Sequence, residues 1–482
     1  MKKDTKGLTV KKSEDFSEWY TQVIQKADLA DYTLVSGCIV YKPNSYAIWE
    51  KIKDAVDSRL KIMGIKNVYF PLLIPESLLQ KESNHVQGFT PEVAWVTEAG
   101  NTKLSERLAI RPTSETIMYD SYSKWIRSHN DLPLRLNQWN NVVRWEFKHP
   151  TPFLRSREFL WNEGHTCFAT KVEAEKEVRD ILSMYEQVLK EYFALPCLPG
   201  KKSNKEKFAG AEYTTSLELV MPNGKAIQGP DAHFDGQNFA KAFDITFLDQ
   251  QGKKQYVWQN TWAITTRMIG VLIAVHGDDK GLVLPPKLAS LQVVIVPILF
   301  EDSKLKVLKA AKNIMDKLIK KGISTYLDDR EYTPGWKFNE WEVKGIPLRI
   351  EIGPKDLEKE QVMVMRRDTG EKQSLPLAGI EKEMDILLNQ VQDNLYQKAK
   401  LLLESSLVKV NTLAEAKKQW ENKKIVFAPW CGTVECEEEI KNKNDGIKSL
   451  NSPFEQPELK KEQKCFACNR KATVWFYLGK SY

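Results

Sequence analysis

The chain has 482 residues, 42% of them hydrophobic, and its 71 basic and 64 acidic side chains leave a net charge of +7. That is the size and apolar content of a multidomain soluble protein with two to four separate cores, and the mild positive surplus permits a polyanionic partner without demanding one. The apolar run VVIVPILF is far too short to cross a bilayer and is interrupted by Pro297, which excludes a membrane-spanning class.

The opening stretch MKKDTKGLTVKKSEDF lacks the apolar core of a secretion signal, so a cytoplasmic protein with no membrane association is expected. Next, SYAIWEKIKDAVDSRLKIMGI has helical spacing and stops at Gly64, and KNVYFPLLIP reads as a strand carrying prolines. RPTSE, residues 111–115, sits between RLAI and the helix-like TIMYDSYSKWIRS. Thr113 or Ser114 there could cap the helix, with Glu115 adding charge to its first turn, or the carboxylate and hydroxyls could receive a cationic amine. QWNNVVRWEF, REFLWNEGHTCFA and YTTSLELVM read as extended, and KVEAEKEVRDILSMYEQVLKEYF as an amphipathic helix. Residues 1–286 are therefore expected to form one large α+β unit on an antiparallel sheet.

GDDKGLVLPPKLAS, with Pro285 and Pro286, marks a boundary before the buried-strand run LQVVIVPILF. The helical EDSKLKVLKAAKNIMDKLIKKG and the strand-like ISTYLDD then give a βαβ rhythm, predicting a small α/β domain over 287–398. A long helical segment, EKEMDILLNQVQDNLYQKAKLLLESSLVKV, leads into a third unit over 399–482.

Of the seven cysteines, Cys38, Cys167 and Cys197 are scattered, unlike a secreted disulfide framework. Cys431 and Cys436 are separated by four residues and Cys465 and Cys468 by two. Two such pairs can close a tetrahedral thiolate site around a structural Zn²⁺, the alternative being four unconnected thiols. VVRWEFKHPTPFLRSREFLWNEGHT places Arg144, Lys148, Arg155 and Arg157 around a turn, where guanidinium forks could hold a phosphoryl group or simply make surface ion pairs. Neither a Walker A sequence nor a Rossmann fingerprint is present, so any nucleotide site must be built from side chains on a sheet. His165 and His233 stand out by their polar neighbours, and no HExxH pair occurs.

Over nearly its whole length the chain resembles the prolyl-tRNA synthetases, class II enzymes, of the archaeal and eukaryotic-like type. The likeness rests on NVYFPLLIPES, RPTSE, the arginine-rich stretch, KFAGAEYT, IQGPDAHFDGQNF, TTRMIGVLIAVHGDDKGLVLPP, PGWKFNEWEVKGIPLRIEIGPKD, the cysteine pairs and the final SY. It implies an antiparallel-sheet catalytic domain, an α/β anticodon-binding domain and a small α+β zinc-containing C-terminal domain in a homodimer. Pro71 matches the proline of the dimer-supporting first motif, and the compact spacing leaves no room for the editing insertion of the bacterial type.

The resemblance also implies roles. Thr113 and Glu115 match the receptor for proline's secondary amine. Trp161, Glu163, His165 and Phe208 match the wall around its ring, and His233 matches a substrate-site histidine. Arg144 matches the arginine on the amino-acid carboxylate and α-phosphate, and Arg267 the one on the far phosphates. Glu146, Arg155, Gln228 and Thr265 match further ATP contacts, with Mg²⁺ bridging the phosphates. Trp336, Glu340, Arg349 and Lys355 are expected to read the anticodon of tRNA(Pro) by stacking and edge hydrogen bonds. The implied activity is ATP-dependent ligation of L-proline to tRNA(Pro), the alternative being a catalytically inactive zinc-containing RNA-binding paralogue. Asp231 and Ala232 stand where the family has threonine and serine, and Ala263 where it has glycine, which touches one ATP contact and the local backbone approach.

Overall fold

A computed structural model describes residues 7–83, 92–146 and 149–482. Its largest sheet has eight strands, in the order Ser452–Pro453, Leu198–Lys201, Tyr213–Val220, Ala226–Gly236, Trp258–Thr265, Glu158–Phe168, Leu134–Val143, Lys66–Asn67. All neighbours are antiparallel except the last pair, which is parallel. One face packs on the helices Pro43–Ile62 and Lys171–Glu191 through Ile48, Ile52, Val178, Ile181 and Tyr185. The second helix starts on a complete capping box, Thr170 and Glu173, and its buried residues recur every three or four positions. The opposite face carries the cavity described below, and a separate core holds an aromatic cluster of Phe70, Tyr119, Tyr122, Phe239 and Phe243.

The mixed α and β composition agrees with the expected class, and the helical predictions fall where periodicity placed them, except that the end of the segment read as one long helix, Leu407–Lys409, is a strand paired with Ile425–Trp430. Helix Pro43–Ile62 stops one residue before the Met63 C-cap and Gly64, whose φ of +81° is the left-handed conformation glycine tolerates. KNVYFPLLIP, in contrast, is not one strand. Lys66–Asn67 pairs with Leu134–Val143, while Leu73–Pro75 joins a separate three-stranded sheet beside Thr102–Ile110. Between them Pro71 has no N–H to offer a ladder. The Phe70 amide bonds instead to the Gln138 side chain.

A five-stranded sheet, Thr325–Leu327, Val293–Pro297, Leu348–Ile352, Gln361–Arg366, Lys372–Pro376, is parallel across its first three strands and antiparallel beyond. Parallel pairing requires a crossover, supplied by helix Lys304–Lys320 with Val307, Ala311, Ile314 and Leu318 on its buried face. Helix Ile380–Ser406 then runs on to a four-stranded sheet, Leu407–Lys409, Ile425–Trp430, Val474–Gly479, Lys448–Ser449. This last unit is stitched to the eight-stranded sheet: Ser452–Pro453 is its edge strand, and the Tyr482 amide donates to the Ala226 carbonyl at 3.0 Å. The chain end thus lies beside the strand that carries Gln228.

Candidate active site

RPTSE forms the join between strand Thr102–Ile110 and helix Glu115–Trp125. Arg111 is buried and holds the join in place, donating to the carbonyls of Phe70 (2.9 Å) and Asn141 (2.8 Å). Ser114 occupies the N-cap position but makes no capping bond with its side chain; its hydroxyl accepts from Gln138 (2.9 Å) and Asn140 (3.3 Å). The Thr113 hydroxyl accepts from the Glu115 amide at 3.4 Å, and Glu115 lies in the first turn, so part of the motif is a cap. Thr113 and Ser114 also turn toward the neighbouring strands.

The organising group is Glu163. One of its oxygens accepts from the Thr113 hydroxyl at 3.1 Å and the Ser114 amide at 2.9 Å and faces His165 Nε2 at 3.2 Å. The other accepts from Asn140 at 2.7 Å and Gln138 at 3.4 Å. Burial alone would raise this carboxyl, but the His165 ring and the Ser114 donors outweigh it and hold the pKa down to about 2. His165 is fixed in turn by the Tyr119 hydroxyl at 3.2 Å. Gln138 and Asn140 were missed in the sequence, although polar residues at alternate positions of a strand are a legible sign of one polar face.

On the next strands, His233 Nδ1 lies 2.8 Å from the Thr214 hydroxyl, and its ring is 4.9 Å from that of Phe208. Asp231 accepts from Gln228 at 2.6 Å and faces His233 Nε2 at 3.6 Å, so the departure from threonine adds a carboxylate to this wall. Gly164 gives way to Trp262: a Cβ there would lie 2.1 Å from the indole. Arg144 donates to the Pro112 carbonyl at 2.9 Å, with its guanidinium 5.1 Å from the Trp161 ring centre. Arg267, the first residue of helix Arg267–His276, donates to the carbonyls of Leu154 and Gln228, and burial lowers its pKa.

These groups converge on one cavity of about 430 Å³. It is lined by Thr113, Glu115, Arg144, Glu146, Arg155, Trp161, Glu163, His165, Phe208, Gln228, His233, Thr265 and Arg267, the full set expected to touch proline and ATP. Ala263 and Asp231 line it too. Arg157 does not: it donates to the Ser36 carbonyl at 3.0 Å and lies over Trp145. Lys148 falls outside the described residues. Chemically, the cavity brings buried carboxylates and a hydroxyl together with guanidinium groups, a donor and acceptor set suited to a zwitterion beside a polyphosphate.

Elsewhere, the Sγ atoms of Cys431, Cys436, Cys465 and Cys468 lie within 4.8 Å of one another. Cys436 and Cys465 are 3.8 Å apart and Cys431 and Cys468 3.6 Å, where four thiolates at about 2.3 Å from a tetrahedral Zn²⁺ would stand about 3.8 Å apart. The donor set fits that ion. The expected anticodon residues differ in exposure and in the partners they hold. Trp336 stacks on Tyr332 at 3.9 Å, Glu340 pairs with Arg330 (2.7 Å) and Lys344 (2.9 Å), and Lys355 is exposed. Arg349 is buried, donates to Glu351 at 2.8 Å and lies over the Phe338 ring, so its fork is engaged between the sheet and helix Pro334–Val343.

The eight-stranded antiparallel sheet and its cavity define a class II aminoacyl-tRNA synthetase core, and residues 95–276 match the family model described as tRNA synthetase class II core domain (G, H, P, S and T). Residues 292–385 match the anticodon binding domain, and residues 413–482 the C-terminal domain of prolyl-tRNA synthetase. The chain is 50% identical to the cytoplasmic proline--tRNA ligase of Arabidopsis thaliana, over 100% of this chain and 93% of that one. It is 49% identical to the proline--tRNA ligase of Symbiobacterium thermophilum over 96% of each, and 48% identical to proline--tRNA ligase 2 of Bacillus cereus over 100% of each. The chain belongs to the prolyl-tRNA synthetase family.

Proposed function

We infer that the protein activates L-proline with ATP to prolyl-adenylate and transfers the prolyl group to the 3′ end of tRNA(Pro). The observation that carries this is the meeting of Thr113 and Glu115 with Arg144 and Arg267 in one cavity. Glu115 and Thr113 receive the protonated secondary amine of proline, Trp161 and Phe208 flank its ring, and Arg144 holds its carboxylate against the α-phosphate. Arg267 and Arg155 grip the outer phosphates, with Gln228, Glu146 and Thr265 placing the remainder of ATP and His233 completing the wall. The proline carboxylate attacks the α-phosphorus, the bond to the bridging oxygen breaks, and pyrophosphate leaves with its charge matched by guanidinium groups. The ribose hydroxyl of the tRNA terminus then attacks the mixed anhydride and releases AMP. Positioning and electrostatics supply the rate, with no protein nucleophile. Mg²⁺, when bound to ATP, neutralises phosphate charge.

Glu163 acts as a positioning residue: one oxygen holds the loop that presents Thr113 and the other is held by Gln138 and Asn140. Residues 1–286 form the catalytic unit, 287–398 the anticodon-binding unit and 399–482 the zinc-binding unit, whose cysteines hold Zn²⁺ for folding rather than chemistry. A cytoplasmic homodimer fits the flank of Pro71, where Tyr69, Leu72 and Leu73 leave apolar surface exposed, and no described helix is long and apolar enough to cross a membrane. Among the anticodon candidates, Trp336 and Lys355 are accessible enough to meet RNA, whereas Arg349 supports the sheet beneath.

Proline-dependent exchange between pyrophosphate and ATP tests this reading, and an enzyme that exchanges no better with proline than with other amino acids defeats it. Glu115→Gln should raise KM for proline by about tenfold to a hundredfold while ATP still binds; equal loss of ATP binding contradicts the assigned role. Cys465→Ser should lower zinc per chain, measured by elemental analysis, with adenylate formation retained.

A further inference from the structure

Helix Arg267–His276 begins in the cavity and, at about 1.5 Å per residue, ends about 15 Å away in a junction that the reaction itself does not use. Its last residue is followed by Gly277 and a tight turn in which Asp278 and Gly281 exchange backbone hydrogen bonds at 2.9 and 3.2 Å. The turn is gripped from two sides. From the N-terminal segment, Trp19 donates its indole N–H to the Asp278 carbonyl at 2.9 Å, and Lys12 donates its ammonium to the Gly277 carbonyl at 2.6 Å. From the hairpin between strands Gln361–Arg366 and Lys372–Pro376, Arg367 closes a two-pronged bond on the Asp278 carboxylate at 2.6 and 2.7 Å.

Arg367 has a second commitment. Its Nε donates at 2.8 Å to the carbonyl of Glu342, near the end of helix Pro334–Val343, which carries Trp336 and Glu340. One guanidinium therefore ties the helix with the anticodon candidates to the turn that ends the Arg267 helix. The side chain is 2% exposed and its partner Asp278 is 44% exposed. A planar, preorganised fork in that position fixes both separation and angle between two units, as a flexible ammonium could not.

We propose that Arg367 and Asp278 are positioning residues for tRNA charging: they fix the anticodon-binding unit against the adenylate cavity so that a tRNA held at its anticodon presents its 3′ end to the reacting anhydride. The inference rests on the synthetase reading. Other contacts cross the same junction, such as Lys280 with Glu342 and the Leu282 amide with the Val343 carbonyl, so the two units stay together without the fork and lose angular definition instead.

The test compares Arg367→Ala, Arg367→Lys and Asp278→Asn with the parent in three assays. These are proline-dependent pyrophosphate exchange, charging of a tRNA(Pro) transcript, and charging of the same transcript with a substituted anticodon. Exchange should be unchanged within about twofold. Charging of tRNA(Pro) should fall about tenfold in kcat/KM for Arg367→Ala and less for Arg367→Lys, the size of a coupling between contacting groups. Charging of the anticodon-substituted transcript should not fall, so the ratio between the two transcripts shrinks. Equal falls for both transcripts, or no fall for either, overturns the proposal. Should Arg367→Ala fail to fold, Asp278→Asn removes the same fork from its partly exposed side and decides the matter. A parent enzyme without proline-dependent exchange fails the synthetase reading instead, and is recognised before any variant is compared.

Discussion

Glu163 and Asp235 lie on strands separated by a single neighbour in the same sheet, and both are buried, to 2% and 0% exposure. Glu163 is surrounded by Thr113, the Ser114 amide, Gln138, Asn140 and the His165 ring, and its pKa is held at about 2. Asp235 lies in a β-bulge between Phe234 and Gly236, near Tyr119 and Cys167, and neither of its oxygens has a hydrogen-bond partner among the described residues. Burial there pushes its pKa well up. Burial is common to both; the supply of donors is what differs. An ionised carboxylate in a dry site is stable only where the fold has already built its solvation shell. Here that shell is assembled around Glu163 and not around Asp235.

The largest way to break this contrast is to remove the organiser. Glu163→Ala takes away the shared acceptor of Thr113 and Ser114, so the loop loses the geometry in which it faces the cavity. Proline-dependent exchange should fall by about a hundredfold or more, the scale on which a misplacement of about 1 Å acts. A decrease under about threefold in a folded variant would show that the loop is held without Glu163.

The contrast also explains how much could be read from the sequence. RPTSE and the cysteine pairs were legible because each is a short stretch whose spacing survives folding, and Arg144 and Arg267 through the family resemblance; RPTSE, Arg144 and Arg267 meet in one cavity and the cysteines in one cluster. The helices were legible because amphipathic periodicity is local. The split of KNVYFPLLIP was not, because it depends on which distant strand each half finds; nor was the addition of Ser452–Pro453 to a sheet built some 250 residues earlier, a nonlocal pairing with no local signature. Arg349 and Arg157 looked like ligand-binding arginines in sequence, and only tertiary placement puts one beneath Phe338 beside Glu351 and the other toward the Ser36 loop. The difference between Glu163 and Asp235 was equally hidden. Both are acidic residues within predicted site stretches, and the donors that separate them come from other strands.

Smaller and sharper is the effect of pH on stability, where the two carboxyls act with opposite sign. Glu163 has a folded pKa depressed from 4.5 to about 2, so its contribution is present above 4.5 and is lost as the pH falls toward 2. That loss is about 3 kcal/mol. Asp235 has a folded pKa raised above its ordinary 3.8, so its contribution is present below 3.8 and is lost as the pH rises through the raised value. Asp235→Asn mimics the protonated acid and removes this second slope. Urea unfolding of the variant should therefore be flatter than the parent between pH 4 and pH 8, and at pH 8 more stable by about 1–2 kcal/mol, as expected when a buried charge no longer needs to be neutralised. Its exchange activity should stay within about threefold, because Asp235 is not among the groups that line the cavity. Parallel pH profiles for parent and variant would mean that Asp235 is solvated in the folded protein and that the sheet treats the two carboxyls alike.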